Sequence, residues 1–350
     1  MSTKIFFAGV ILLGLFSTAC VRHEVLPESD GFTGWIAGEA YDGYGTILKS
    51  GDNGLSWFRQ GSVSQIPGIN MNDVSAFDLT HIWSVGDNQN GYGMILYSSN
   101  GGVSWERQGT KDLLGSGSLL AVHAKTGKRV WVSGEKGKLF YSDNQGSTWN
   151  PVILDSLSKP AFSGIAVAQN SIWVIGNIAD SAGHDSANIV LHSMDGGSTF
   201  TASHFLNAAH LNAVSALNDT TVLIASGSSL YKSMDGGSQW YMIYNSTFGN
   251  VLSICAGSED NIWAAGEQGR AFRSADGGST WETFWPQTGK YALNGISLSG
   301  SNTVWICGSG GNPSRKGVVY YSGNAGKTWF IGILPVNAGV RGLSFMKGVR

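Results

Sequence analysis

The chain has 350 residues, of which 42% are hydrophobic and only 13% charged, with 50 glycines, 7 prolines and 13 tryptophans. Its formal net charge is −2 and it holds no long run of Lys or Arg, which argues against nucleic acid as a partner. Many glycines beside many large aromatics point to short strands joined by tight turns.

The first element reads as a leader. Lys4 gives a positive start, residues 5–16 are apolar, and Ser17, Thr18 and Ala19 are small. An apolar run of that length is short for a bilayer span and suits a signal peptide. Cys20 follows at once. The stretch Phe-Ser-Thr-Ala-Cys resembles a bacterial lipoprotein lipobox, with Ser17 where that family usually has Leu. Residues 1–19 are therefore expected to be a signal peptide and 20–30 a tether lipidated at Cys20, placing the protein in the bacterial cell envelope. Cleavage after Ala19 without lipidation is the alternative.

From residue 31 onward one grammar repeats. A turn, S-x-[DN]-x-G-x-[ST]-W in outline, occurs at 50–57, 98–105, 142–149, 193–200, 233–240, 274–281 and 322–329. Its third position holds Asp52, Asn100, Asn144, Asp195, Asp235, Asp276 and Asn324. A catalytic acid would not become Asn in several copies, whereas Asp and Asn both bond backbone N–H groups just ahead and close a turn. The turn is scaffold. Before each turn come a first strand (72–77 and 212–217 are examples), a second reading I-W-x-x-G (82–86, 262–266) and a third (94–98, 230–233). After it comes a fourth (105–109). Four short strands every ~45 residues is a blade of a β-propeller.

Twelve of the 13 tryptophans fall on the second strand or close a turn, so they are scaffold as well. The chain opens at 32–38 on a second strand with no first strand before it, and ends with a surplus strand at 341–346. The expected fold is all-β. Seven four-stranded antiparallel blades over 31–350 form a ring closed by the C-terminal strand completing blade one. Cys255 and Cys307 lie in apolar strand patterns and read as buried free thiols, although export would permit a disulfide.

The seven turns resemble the Asp-box, or BNR, repeat. In plan the chain is most similar to the photosystem II stability and assembly factor family of exported propellers, whose blades read W-x-x-G and then S-x-D-G-G-x-T-W. Phe200, Gln239 and the three Asn turns depart from that pattern. The resemblance implies a seven-bladed ring and, more weakly, a non-catalytic assembly role. Asp-box propellers also include sialidases and other glycoside hydrolases.

Function is expected on the face shared by the 2–3 turns and the 4–1 loops. Trp285 is the tryptophan left over, in a 4–1 loop with Phe284, Lys290 and Tyr291, and aromatics beside a cation make good anchors. Glu39, Asp87, Glu135 and Glu267 recur just after W-x-x-G. They form either a negative ring for a cation or basic partner, or plain turn caps. Tyr44 and Tyr92 follow D-G and N-G on adjacent blades of the same face. His184 with Asp180 and Asp185 makes a poor metal site in one loop, and no cofactor or metal is expected. No Ser/His/Asp set, phosphate loop or zinc spacing is present. The reading is a non-catalytic, membrane-tethered, monomeric scaffold for a membrane or envelope protein complex. The alternative is a carbohydrate-binding protein or glycoside hydrolase, which would need two carboxylates facing across a cleft.

Overall fold

A computed structural model describes residues 31–154, 157, 159–179, 185–205, 209–286, 291–310 and 316–347. The leader, the tether with Cys20, Lys290, His184 and Asp180 lie outside these residues, as does the side chain of Asp185.

Seven four-stranded antiparallel sheets are present. Blade 1 combines Phe32–Tyr41, Tyr44–Ser50 and Phe58–Arg59 with the C-terminal strand Val340–Lys347, which becomes its innermost strand. That strand pairs with Phe32–Gly38 with one bulge, at Arg341, so the two ends of the described chain are stitched together by a ladder. Each other blade is contiguous in sequence, and its first strand lies innermost: Met71–Ala76, Leu119–Ala124, Ala161–Val167, Leu211–Ala216, Val251–Ser258 and Tyr291–Ser299.

The fourth strands are shorter than the sequence suggests. The one expected over 105–109 is the two residues Glu106–Arg107, and across the seven blades they run from 2 to 5 residues. Outer strands are edges, and short edges offer little ladder to a stray chain.

The core lies between blades. Seven hydrophobic clusters occupy the seven junctions. The second-strand residues Trp35, Trp83, Trp131, Trp173, Trp263 and Trp305 are at most 1% exposed, and blade 5 has Leu223 in that place. At the closing junction Trp305 stacks on Phe345 with centroids 4.1 Å apart, and its indole N–H donates to Asn53 O at 2.7 Å. That carbonyl belongs to the repeat turn of blade 1. Trp35 does the same to Gly101 O of blade 2 at 3.2 Å. Six of the seven junctions thus bury an indole, and Trp35 and Trp305 are also tied to the neighbouring turn.

The repeat turns follow one bonding scheme. In the sixth, Ser274 Oγ donates to Asp276 Oδ1 (2.8 Å), Thr280 N–H donates to the same oxygen (2.8 Å) and Gly278 N–H donates to Ser274 Oγ (2.8 Å). Gly278 has φ +99°, a conformation that suits glycine. The Asn copies differ in one bond only. Thr280 Oγ1 donates to Asp276 Oδ2, whereas Asn144 Nδ2 donates to Thr148 Oγ1 at 2.9 Å. A hydroxyl both gives and accepts, so it serves either partner.

Cys255 and Cys307 are free thiols, and burial pushes Cys255 up to about 11. No helix among the described residues is long and apolar enough to cross a membrane.

Candidate functional site on the loop face

Antiparallel order puts the 2–3 turns and the 4–1 loops at one end of the ring and the repeat turns at the other. Trp285 follows the fourth strand of blade 6 (Glu282–Phe284) and is 52% exposed. Its ring does not stand alone. The Arg270 guanidinium lies 4.8 Å from its centroid and 4.8 Å from that of Phe248. Phe248 comes from the 4–1 loop of blade 5, and Arg270 ends the 2–3 turn of blade 6. The cation is therefore held between two rings across a blade boundary. No carboxylate among the described residues pairs with it.

The other members of the expected loop cluster are placed differently. Phe284 turns away from the face into the junction core, 5.3 Å from the Trp263 ring centroid and 6.5 Å from that of Trp329. Strand parity explains this: Phe284 pairs with Ala271, and its side chain sits against Gly326 of the next blade. Tyr291 starts the inner strand of blade 7 and packs, half-buried, on the same cluster.

Tyr44 and Tyr92 share the loop face and each is covered by an arginine of its own blade. Arg59 lies 4.7 Å over the Tyr44 ring and Arg107 lies 3.5 Å over Tyr92. Their hairpins turn through Asp42-Gly43 and Asn90-Gly91, all with positive φ, as a two-residue turn of the primed type requires. Arg107 also donates to Gln89 O and Tyr92 O, each at 3.3 Å, so it clamps its own hairpin.

The four recurring acids do not converge on one another. Each is held within its own blade, by the loop that leads into the inner strand or by that strand itself. Glu135 Oε2 accepts from Ser118 N–H at 2.8 Å, and Glu267 Oε2 from Asn250 N–H at 3.0 Å. Asp87 accepts from the Asn70 and Asn72 side-chain amides at 2.8 and 2.9 Å. Glu39 meets Arg341 at 3.4 Å. In blade 4 the same position is Asn177, whose Oδ1 accepts from Leu211 N–H at 3.0 Å. The Glu135 and Glu267 contacts, to backbone N–H groups of their own loops, have the geometry of caps.

A second polar feature lines the central channel, a space of about 240 Å³. In all seven blades the inner strand carries a one-residue bulge near its loop-face end. The bulged residues include Asn72, Asn212, Asn294 and Arg341, and the three asparagines donate to the first inner-strand carbonyl of the next blade. One position on, where other blades have Ala, Gly or Ser, stands Asp73. Its carboxylate accepts from Val74 N–H (2.8 Å) and Val122 N–H (2.9 Å). It lies deep in the wall yet is reached by water along the channel. Burial pushes it up to about 7 against the pull of those two N–H groups.

Arg270, Phe248, Arg341 and Asp73 were not singled out from the sequence. Only Arg341 had a legible signal, being the lone cation among seven bulge positions. Among the described residues no three His, Cys, Asp or Glu side chains are grouped to hold a metal ion.

No family model matches the chain, and no curated protein matches it. Solved structures do. One is described as YCF48 bound to D1 peptide, with 17% identity, a TM-score of 0.63, and 83% of this chain and 89% of that one covered. A second is YCF48 from Cyanidioschyzon merolae, with 20% identity, a TM-score of 0.61, and 79% and 88% covered. A third is the GH74 enzyme of Niastella koreensis, with 17% identity, a TM-score of 0.44, and 83% and 53% covered. The chain is similar to the two YCF48 structures in fold: a single seven-bladed propeller of antiparallel four-stranded sheets.

Proposed function

We propose that the protein is a non-catalytic scaffold that holds a segment of a protein partner on its loop face, tethered to the envelope membrane through a lipid on Cys20. The observation that carries this reading is the exposed Trp285 ring stacked with Arg270 and Phe248. An aromatic with a stacked guanidinium, fixed across two blades, has the composition of an interface hot spot. Two further points support it. A propeller similar in fold is described as bound to a peptide. The four loop-face acids are each hydrogen-bonded or ion-paired within their own blade, which favours a structural use of them over glycoside hydrolysis.

The test is crosslinked capture of the protein from its own membranes, with Trp285→Ala and Arg270→Ala alongside. The expected result is one membrane-protein complex recovered with the wild type and lost with both variants. Recovery of no protein partner, with the wild type retained on a glycan array, would overturn the proposal in favour of carbohydrate binding.

A further inference from the structure

The chain enters the ring at the repeat-turn face. Phe32 is the first residue of the second strand of blade 1, and that strand runs from there to the hairpin at Asp42-Gly43 on the loop face. Its start is pinned to the repeat turn of its own blade. Phe32 N–H donates to Asn53 Oδ1 at 2.8 Å, and Asn53 N–H donates to Phe32 O at 3.2 Å. The segment before it is therefore attached at this end of the ring, opposite the end that carries Trp285.

The sequence limits how far that segment reaches. Cys20 stands 11 positions before Gly31. A chain of that length spans at most about 40 Å when fully extended. The way round to the loop face is longer. The strand Phe32–Tyr41 alone rises about 33 Å, and the third and fourth strands of the blade stand outside it at spacings of about 4.8 Å each. A lipid on Cys20 can draw the repeat-turn face down to a bilayer, but it cannot lay the loop face there.

The repeat-turn face also carries open apolar side chains. Val103, Met194 and Met234 stand in three of the repeat turns and Phe77 in the 1–2 loop of blade 2, and they are 72%, 60%, 54% and 37% exposed. The turn itself does not call for them. Met194 and Met234 take its second position, where other blades have Gly, Ser, Asp or Ala. The charges of this face are mixed, with Lys125, Lys128 and Lys327 beside Asp78, Asp143 and Asp260. It therefore carries no single-sign field to select one headgroup charge.

We propose that the repeat-turn face is the membrane face of the disc and that its occupant is the lipid surface. This rests on the reading of Cys20 as the lipid anchor. Four separate side chains are too few to hold the protein on a bilayer alone, so the lipid supplies the attachment and they settle the orientation. The loop face is then turned to the aqueous side, about 30 Å above the headgroups. The partner segment held at Trp285 is one that stands clear of the bilayer.

The test places one fluorescent label on each face of the full-length lipidated protein. Val103→Cys and Met234→Cys mark the repeat turns, and Asn88→Cys marks an exposed 2–3 turn of the loop face. Each variant carries bimane and is reconstituted into phosphatidylcholine vesicles that contain a headgroup-spin-labelled lipid, with wild type as the labelling blank. Mass spectrometry of the mature N-terminus first reads the acyl chains on Cys20. The expected result is acylated protein in which the labels at 103 and 234 are quenched at least threefold more than the label at 88. Acylated protein with the label at 88 quenched equally or more would overturn the proposed orientation and leave the lipid anchor standing. A mature N-terminus without acyl chains would overturn both.

Discussion

Arg341 and Asn72 lie 269 positions apart in the chain, and Arg341 Nη1 donates to Asn72 Oδ1 over 2.6 Å. The bond joins the last inner strand to the first strand of blade 2, while the other nitrogen of the same guanidinium reaches Glu39 at 3.4 Å. The chain itself joins blades 1 and 2 through residues 60–70, but the C-terminal strand is held in blade 1 by its ladder with Phe32–Gly38 and by side chains such as this one. Arg341→Ala should cost about 1–3 kcal/mol, as for loss of charge-assisted hydrogen bonds in a partly buried site. Its signature is local. Hydrogen exchange should quicken first in Phe32–Gly38 and Val340–Lys347. Equal protection in those strands and in blade 5 would show that Arg341 takes no part in closure.

The repeat turns give a second prediction. The Thr280 hydroxyl, then its N–H and Ser274 Oγ, hold the Asp276 carboxyl below the ordinary aspartate range. A depressed carboxylate adds stability above its unfolded pKa and loses it as pH falls through the folded value. The contribution of this turn should therefore fade below roughly pH 4. Asp276→Asn should flatten that acid dependence while leaving the neutral melting temperature nearly unchanged, because the amide can donate to the Thr280 hydroxyl as Asn144 does to Thr148. Asp276→Ala, with neither role, should melt roughly 2–4 °C lower. Thermal melts of the three proteins at pH 3 and pH 7 check both statements.

The ring was legible because each of its parts is written locally and repeatedly. A turn needs its Asp or Asn, glycine and hydroxyl within eight residues, and seven copies average out the exceptions. The surplus strand at the end was readable by the same matching and does pair with Phe32–Gly38. The site was not readable in this way. Trp285 stood out as the tryptophan without a repeat position, but its partners Arg270 and Phe248 come from another turn and another blade. Phe284, its neighbour in sequence, faces the opposite way because alternate strand residues point to opposite sides.

Asp73 carries a pH prediction of opposite sign. Burial raises it to about 7, so the folded protein holds its proton more tightly than the unfolded chain does. The stability that this adds is fully present below pH 4 and is lost as pH rises through about 7. Water in the channel screens the group, so the loss should amount to about 1–2 kcal/mol. Asp73→Asn should remove the dependence and still offer an oxygen to Val122 N–H. Denaturant titrations of both proteins from pH 4.5 to 8.5 decide it: parallel curves would show that Asp73 ionises normally.

The loop-face acids separate a charge from a cap. If Glu267 served as part of a negative ring, Glu267→Gln would weaken partner capture and Glu267→Ala would do no worse. The geometry requires the reverse order. Glu267 Oε2 accepts from Asn250 N–H, and a Cβ on Gly249 would collide with that oxygen, so the side chain lies folded against the loop that presents Phe248. Glutamine keeps an acceptor there. Glu267→Gln should therefore hold stability within about 0.5 kcal/mol and retain capture. Glu267→Ala should leave the Asn250 N–H without its acceptor, cost about 1 kcal/mol, and release Phe248 from the Arg270 stack. Its capture of partner should then fall to the level of Arg270→Ala. Loss of capture in Glu267→Gln, with stability intact, would instead assign the acids a direct electrostatic role.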